Sequence, residues 1–167
     1  MMAALARMPW RAIIGFELCW FALVWYQQLA IWPVVLYLGY GLWQLNSKAR
    51  TAVCIIFAFG VSLDWLLVQA GVLWFSGPTA LPLWFVAIWA VFALAAVEFM
   101  AACLKQPALA LVLGAIGGPL SYWGGSALSG GMLQFPLGAM SIMVLVVVWA
   151  LLALLLGQSR RWYVKAL

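Results

Sequence analysis

Long runs of apolar residues fill this chain, and its polar residues fall mostly in the short gaps between them. A helix rises about 1.5 Å per residue, so roughly 17–25 apolar residues cross the hydrocarbon of a bilayer. Six runs fit, at about 12–28, 30–46, 51–75, 81–104, 107–125 and 136–157. The first two are short, and a tight turn near Leu29–Pro33 joins them. The pattern predicts an all-α integral membrane protein. Its six transmembrane helices form one bundle over residues 1–167, with no separate soluble domain.

Composition makes the same case: 69% of residues are hydrophobic, 7% are charged, and the mean hydropathy is +1.17. A water-soluble domain needs far more surface charge. The net charge of +5 therefore bears on topology and anionic headgroups, not on nucleic acid. Cys19, Cys54 and Cys103 lie in apolar segments without C-x-x-C spacing and read as small buried residues. The chain has no histidine, which removes histidine metal sites and histidine bases; no metal or cofactor is expected. The first apolar run ends in "WYQQLAIW" without a small-x-small site, so no cleavable signal peptide is expected.

The basic residues test the span count. Arg7 and Arg11 precede the first span, Lys48 and Arg50 follow the second, and Lys105 follows the fourth. Arg160, Arg161 and Lys165 follow the sixth. Six crossings put all of them on one side and leave the opposite loops uncharged, which places both termini in the cytoplasm. Trp10, Trp32, Trp43, Trp74, Trp84, Trp123 and Trp162 fall near span ends, as an aromatic belt requires. Trp20, Trp65, Trp89 and Trp149 lie deeper, and each deep indole N–H wants an acceptor.

A weak repeat runs through the outward spans: "GFELCW" from Gly15, "GVSLDW" from Gly60 and "GGPLSY" from Gly117 each read G-x-x-L-x-aromatic. Each inward span begins near a proline, at Pro33, Pro82 and Pro136, where the missing N–H costs little. Three helical hairpins in pseudo-repeat would give this pattern.

The only acids, Glu17, Asp64 and Glu98, all fall inside predicted spans. An intramembrane acid is costly and marks a candidate site. No basic residue is placed deep enough to pair with them. Glu17 and Glu98 share a level about 10 Å from the basic side, and two carboxyls that met there would share a proton. Asp64 and Tyr122 share a deeper level, roughly 20 Å in. Gly60, Asp64 and Gly71 fall near one face of span three. Gly114, Gly118, Ser121 and Gly125 form a small-residue face on span five. Spans three and five are therefore expected to pack, with Asp64 bonded to Ser121 or Tyr122. Gly117, Gly118 and Pro119 predict a helix break in span five, tolerated where protein or a polar cavity covers it. The bland reading of Asp64 is a hydrogen-bonded packing residue. The functional one is a site for a proton, a cation or a headgroup, to which Ser121, Tyr122, Glu98 and Glu17 are further candidates.

The segments "GFELCWFALVW", "GVSLDWLLVQAGVLWF", "PLWFVAIWAVFA" and "GAIGGPLSYWGG" resemble Domain of Unknown Function 2878, a family of small bacterial inner-membrane proteins. Its pattern falls here on Asp64, Trp65, Pro82, Trp84, Trp89, Gly114, Gly117, Gly118, Pro119, Tyr122 and Gly125. An Asn-His pair of the family's fourth span is replaced here by Val97-Glu98, so any role of that histidine would pass to Glu98. The resemblance implies an association with lipid-modifying enzymes, and the apolar faces, deep tryptophans and fifth span point to membrane lipids as partners. Lipid or acyl-chain handling without catalysis is the leading reading. A proton-coupled small-molecule transporter, an intramembrane acid/base lipid hydrolase and a structural subunit stay open beside it.

Overall fold

The computed structural model describes residues 9–77 and 81–163. Arg7 and Lys165, used above for topology, lie outside the described residues. Among those residues, five helical stretches are long and apolar enough to cross a membrane: Trp10–Gln44, Ser47–Gln69, Leu83–Cys103, Pro107–Leu128 and Ala139–Tyr163.

The first stretch is not one rod. Helix α1 (Trp10–Tyr26) passes through a 3-10 turn, Gln27–Ala30, into α2 (Ile31–Gln44), and Gln27 adopts a φ of 50°. The chain doubles back there. The Arg11 guanidinium lies 5.5 Å over the Tyr40 ring, whereas a straight helix would separate the two by roughly 43 Å. Helices α3 (Ser47–Gln69), α4 (Leu83–Cys103), α5 (Pro107–Leu128) and α6 (Ala139–Tyr163) follow.

Local chemistry sets the helix ends. The Asn46 side chain accepts the Ala49 N–H at 3.0 Å and so caps the start of α3. Pro82 immediately precedes α4, and Pro107 opens α5, both favourable places for proline. Helix α3 stops at Gln69, short of the expected 75. Gly71, at φ 70°, turns the chain out of the helix. The apolar residues beyond it are extended instead: β1 (Trp74–Phe75) pairs antiparallel with β2 (Leu133–Gln134). That ribbon is absent from the all-helical expectation. Helix α6 likewise starts at Ala139, after Gly138 at φ 57°.

Contacts sort the helix ends into two groups. At one end, Arg11 meets Glu98, Arg50 donates to the carbonyls of Leu42 and Trp43, and Gly157 lies against Leu104. At the other, Gln27 donates to the Ser129 carbonyl beside the β1–β2 ribbon. The described basic residues belong to the first group.

Glycine notches filled by aromatic rings hold consecutive helices together. A Cβ at Gly15 of α1 would overlap the Tyr37 ring of α2. At Gly60 of α3 it would overlap Trp89 of α4, and at Gly118 of α5, Trp149 of α6. Trp89 and Trp149 then stack on each other, with centroids 5.6 Å apart and planes 12° off parallel. The order across the bundle is thus Gly60, Trp89, Trp149, Gly118. This corrects the expected direct packing of spans three and five. Their small faces are present, but the stacked indoles of Trp89 and Trp149 lie between them, and the two helices meet through side chains. Gly71 lies beyond α3 and takes no part in that face. Trp84, expected in the interfacial belt, is also buried (1% exposed), edge-on to Phe75 and Phe85.

Candidate functional site

Asp64 is fully enclosed, with no exposed surface. Gly60, one turn earlier on α3, admits the Trp89 ring. The Trp89 indole N–H thereby reaches Asp64 Oδ2 at 2.6 Å. The Tyr122 hydroxyl, from α5, lies 2.7 Å from each carboxyl oxygen and donates to the group. One carboxyl thus ties α3 to α4 and α5 through donors alone. Of the two partners expected for Asp64, Tyr122 bonds it and Ser121 does not. Adjacent helical residues point about 100° apart, so only one of them can face α3. Trp89 is the partner that sequence reasoning missed, although a deep indole needing an acceptor stood at the depth of an acid needing a donor.

Ser121 turns instead toward a cavity of about 470 Å³ between α1, α4, α5 and α6. Its walls include Phe16, Glu17 and Trp20 of α1, Phe99, Met100 and Leu104 of α4, and Trp149 and Leu156 of α6. On α5 it runs over Gly114, Gly117 and Gly118. Glu17, Gly117 and Leu120 are exposed, so the cavity is a groove that opens on the outer surface of the bundle. From Phe92 to Leu104 along α4 it extends roughly 18 Å. Nothing lies within 4 Å of where a Gly117 side chain would begin, so bare backbone floors the groove there. A smaller chamber of about 40 Å³ adjoins it. Both are bordered by Phe16, Trp20, Phe92, Ser121 and Trp149, and the chamber continues inward to Trp84, Trp89 and Tyr122.

The expected helix break is not there: α5 runs unbroken through Gly117, Gly118 and Pro119. A single proline removes one N–H donor and one hydrogen bond, and the turns on either side carry the helix across. What this segment contributes is a slim helix face, with one glycine in a tryptophan contact and its neighbour in the groove.

Glu98 sits in a π-helical turn of α4, Ala96–Met100, and forms an ion pair with Arg11. This corrects the expectation that no basic residue reaches the acids. Backbone depth left out the long arginine stem, which leans inward while its head stays partly exposed (37%, against 7% for the Glu98 side chain). Glu98 Oε2 has no hydrogen-bond partner among the described residues. Glu98 therefore takes a counter-charge in place of a shared proton with Glu17, which is exposed and lines the groove.

Fold and site together define a multi-helix membrane protein with a sealed carboxyl lock and a groove open at its side. The chain matches, over residues 9–155, the family described as Protein of unknown function (DUF2878), and it belongs to that family. No curated protein and no solved structure is significantly similar to it.

Proposed function

We propose that the protein is a bacterial inner-membrane protein that holds one acyl chain of a membrane lipid in the groove between α1, α4, α5 and α6. The groove itself carries this reading: about 470 Å³, walled mainly by apolar side chains and open where lipid would surround the bundle. Its polar edge is confined to groups such as Glu17 and Ser121, as suits a ligand that is mostly hydrocarbon. A lipid-modifying enzyme, the partner that the family resemblance implies, would take up or supply that lipid. The proton-carrier alternative has less support, since Arg11 neutralises Glu98 and Asp64 is closed off from the surface.

Gly117→Phe tests the reading, because the new ring enters open space in the groove. Wild-type protein should co-purify with a selected lipid species by mass spectrometry. The variant should lose about tenfold of that enrichment at an unchanged melting temperature. Bulk-lipid composition in the wild type would overturn the proposal.

The same proposal gives the chain six crossings, with both termini in the cytoplasm. The turn at Gln27–Ala30 and the grouping of basic residues at one end of the bundle support it. A reporter fused after Leu167 should behave as cytoplasmic, and one inserted at Gln28 as external. An external signal after Leu167, or a cytoplasmic one at Gln28, would refute this topology.

A further inference from the structure

Two polar residues line the groove and are used by nothing else in the fold. Glu17 stands on α1 and Ser121 on α5. Among the described residues, neither side chain has a hydrogen-bond or ion-pair partner. No other residue lining the groove carries a hydroxyl or a charge.

Both lie near mid-height in the bundle. At the outer end Gln27 donates to the Ser129 carbonyl. That contact is roughly 15 Å along α1 from Glu17 and roughly 12 Å along α5 from Ser121. A Trp20 ring atom lies 3.4 Å from where a Gly124 side chain would begin, so the two helices keep nearly the same offset further in. From the inner end the depth is similar. Phe16 packs edge-on to Phe92 at 6.3 Å between centroids, and α4 runs on from Phe92 to Cys103 for roughly another 17 Å. Glu17 is thus deeper than its distance from Trp10 implied. Arg11, which pairs with Glu98, lies roughly 9 Å back along α1.

An acid at this depth with no basic partner calls for a donor from elsewhere. A headgroup does not supply it, since headgroups stay at the interface, roughly half a bilayer away. What a lipid brings to mid-height is its chain. A hydroxyl donates one hydrogen bond and accepts others, so it can donate to the Glu17 carboxyl and accept from the Ser121 hydroxyl together. We infer that the lipid in the groove is an acyl chain hydroxylated near its middle, and that Glu17 and Ser121 bind that hydroxyl from two walls. The inference rests on the groove reading and makes it specific. A few placed polar groups in an apolar site set the position and identity of a ligand.

Competition for a diazirine-bearing hexadecanoyl probe, cross-linked to the purified full-length protein in detergent, tests this. The competitors are octadecanoate and its 2-, 10- and 12-hydroxy derivatives. In wild type, the 10- or the 12-hydroxy chain should displace the probe about tenfold better than octadecanoate, the gain expected of a hydrogen bond to a carboxyl. The 2-hydroxy isomer has the same composition but a hydroxyl near the headgroup, and should match octadecanoate within about twofold. In Glu17→Leu with Ser121→Ala, all four should agree within about twofold, while Glu17→Gln, which keeps an acceptor oxygen, should retain part of the preference. A mid-chain advantage that survives the double variant overturns the inference. So does a wild type in which neither mid-chain isomer exceeds octadecanoate, the result expected if water alone covers Glu17 and Ser121; that arm needs no variant to fold. Failure of the groove reading looks different: the probe then labels wild type and Gly117→Phe equally, whatever the competitor.

Discussion

Asp64→Ala should lower the unfolding free energy by roughly 2–6 kcal/mol, at about 1–3 kcal/mol for each buried donor left without an acceptor. Two donors are at stake, the Trp89 indole and the Tyr122 hydroxyl, and both end on this carboxyl in a region without exposed surface. Low surrounding polarity makes such bonds strong and their loss costly. Thermal unfolding in detergent, followed by tryptophan fluorescence, measures the effect. Asp64→Asn keeps one acceptor oxygen and should fall between wild type and Asp64→Ala. Combining Asp64→Leu with Tyr122→Phe removes the acceptor together with the Tyr122 donor while leaving the Trp89 ring in its notch, and should recover part of the loss. Melting of Asp64→Ala at the wild-type temperature would show that the three groups do not lock the helices.

This lock bears directly on the groove. Tyr122 packs edge-on to Trp149, at 5.9 Å between centroids, and Trp149 walls both groove and chamber. Holding Tyr122 through Asp64 therefore holds a wall of the groove, although Asp64 does not line it. Intramembrane acids default to functional readings. At Asp64 the geometry favours a positioning role instead, which explains how an acid with no basic partner is accommodated.

How much of this was legible in sequence depended on which coordinate mattered. Depth was legible: helical rise put Asp64 and Tyr122 at one level, and they bond. Direction around the helix axis was harder. Ser121 and Tyr122 were equal candidates on depth, and only the packed bundle separates them. Side-chain reach was missing altogether, which is why Arg11 was set apart from Glu98. Hydropathy ran straight past Gly71 into "VLWF", so it stretched span three over residues that form a strand. A Trp near a span end reads as belt, yet Trp84 is buried because the β1 residue Phe75 and its neighbour Phe85 cover it. The groove left no signature in any one segment, since four helices build it and its volume depends on their relative placement.

Gly117 and Gly118 are adjacent and identical in sequence, and substitution should affect them with opposite sign. Alanine has a higher helix propensity than glycine by about 1 kcal/mol. At Gly117, where nothing lies within 4 Å, that gain should appear as a small rise in melting temperature. At Gly118 the new methyl overlaps the Trp149 ring, and overpacking should cost about 1–3 kcal/mol net. Gly60→Ala should cost at least as much, because its methyl overlaps Trp89, whose N–H is also bonded to Asp64. A shift of Trp89 both strains the stack and lengthens that bond. If the stack is the cause, Trp149→Phe should relieve Gly118→Ala, since a smaller ring leaves room for the methyl, while giving Gly117→Ala no benefit. Equal effects at positions 117 and 118 would mean that helix propensity alone is being measured and that the tryptophan pair does not set the spacing of α3 and α5.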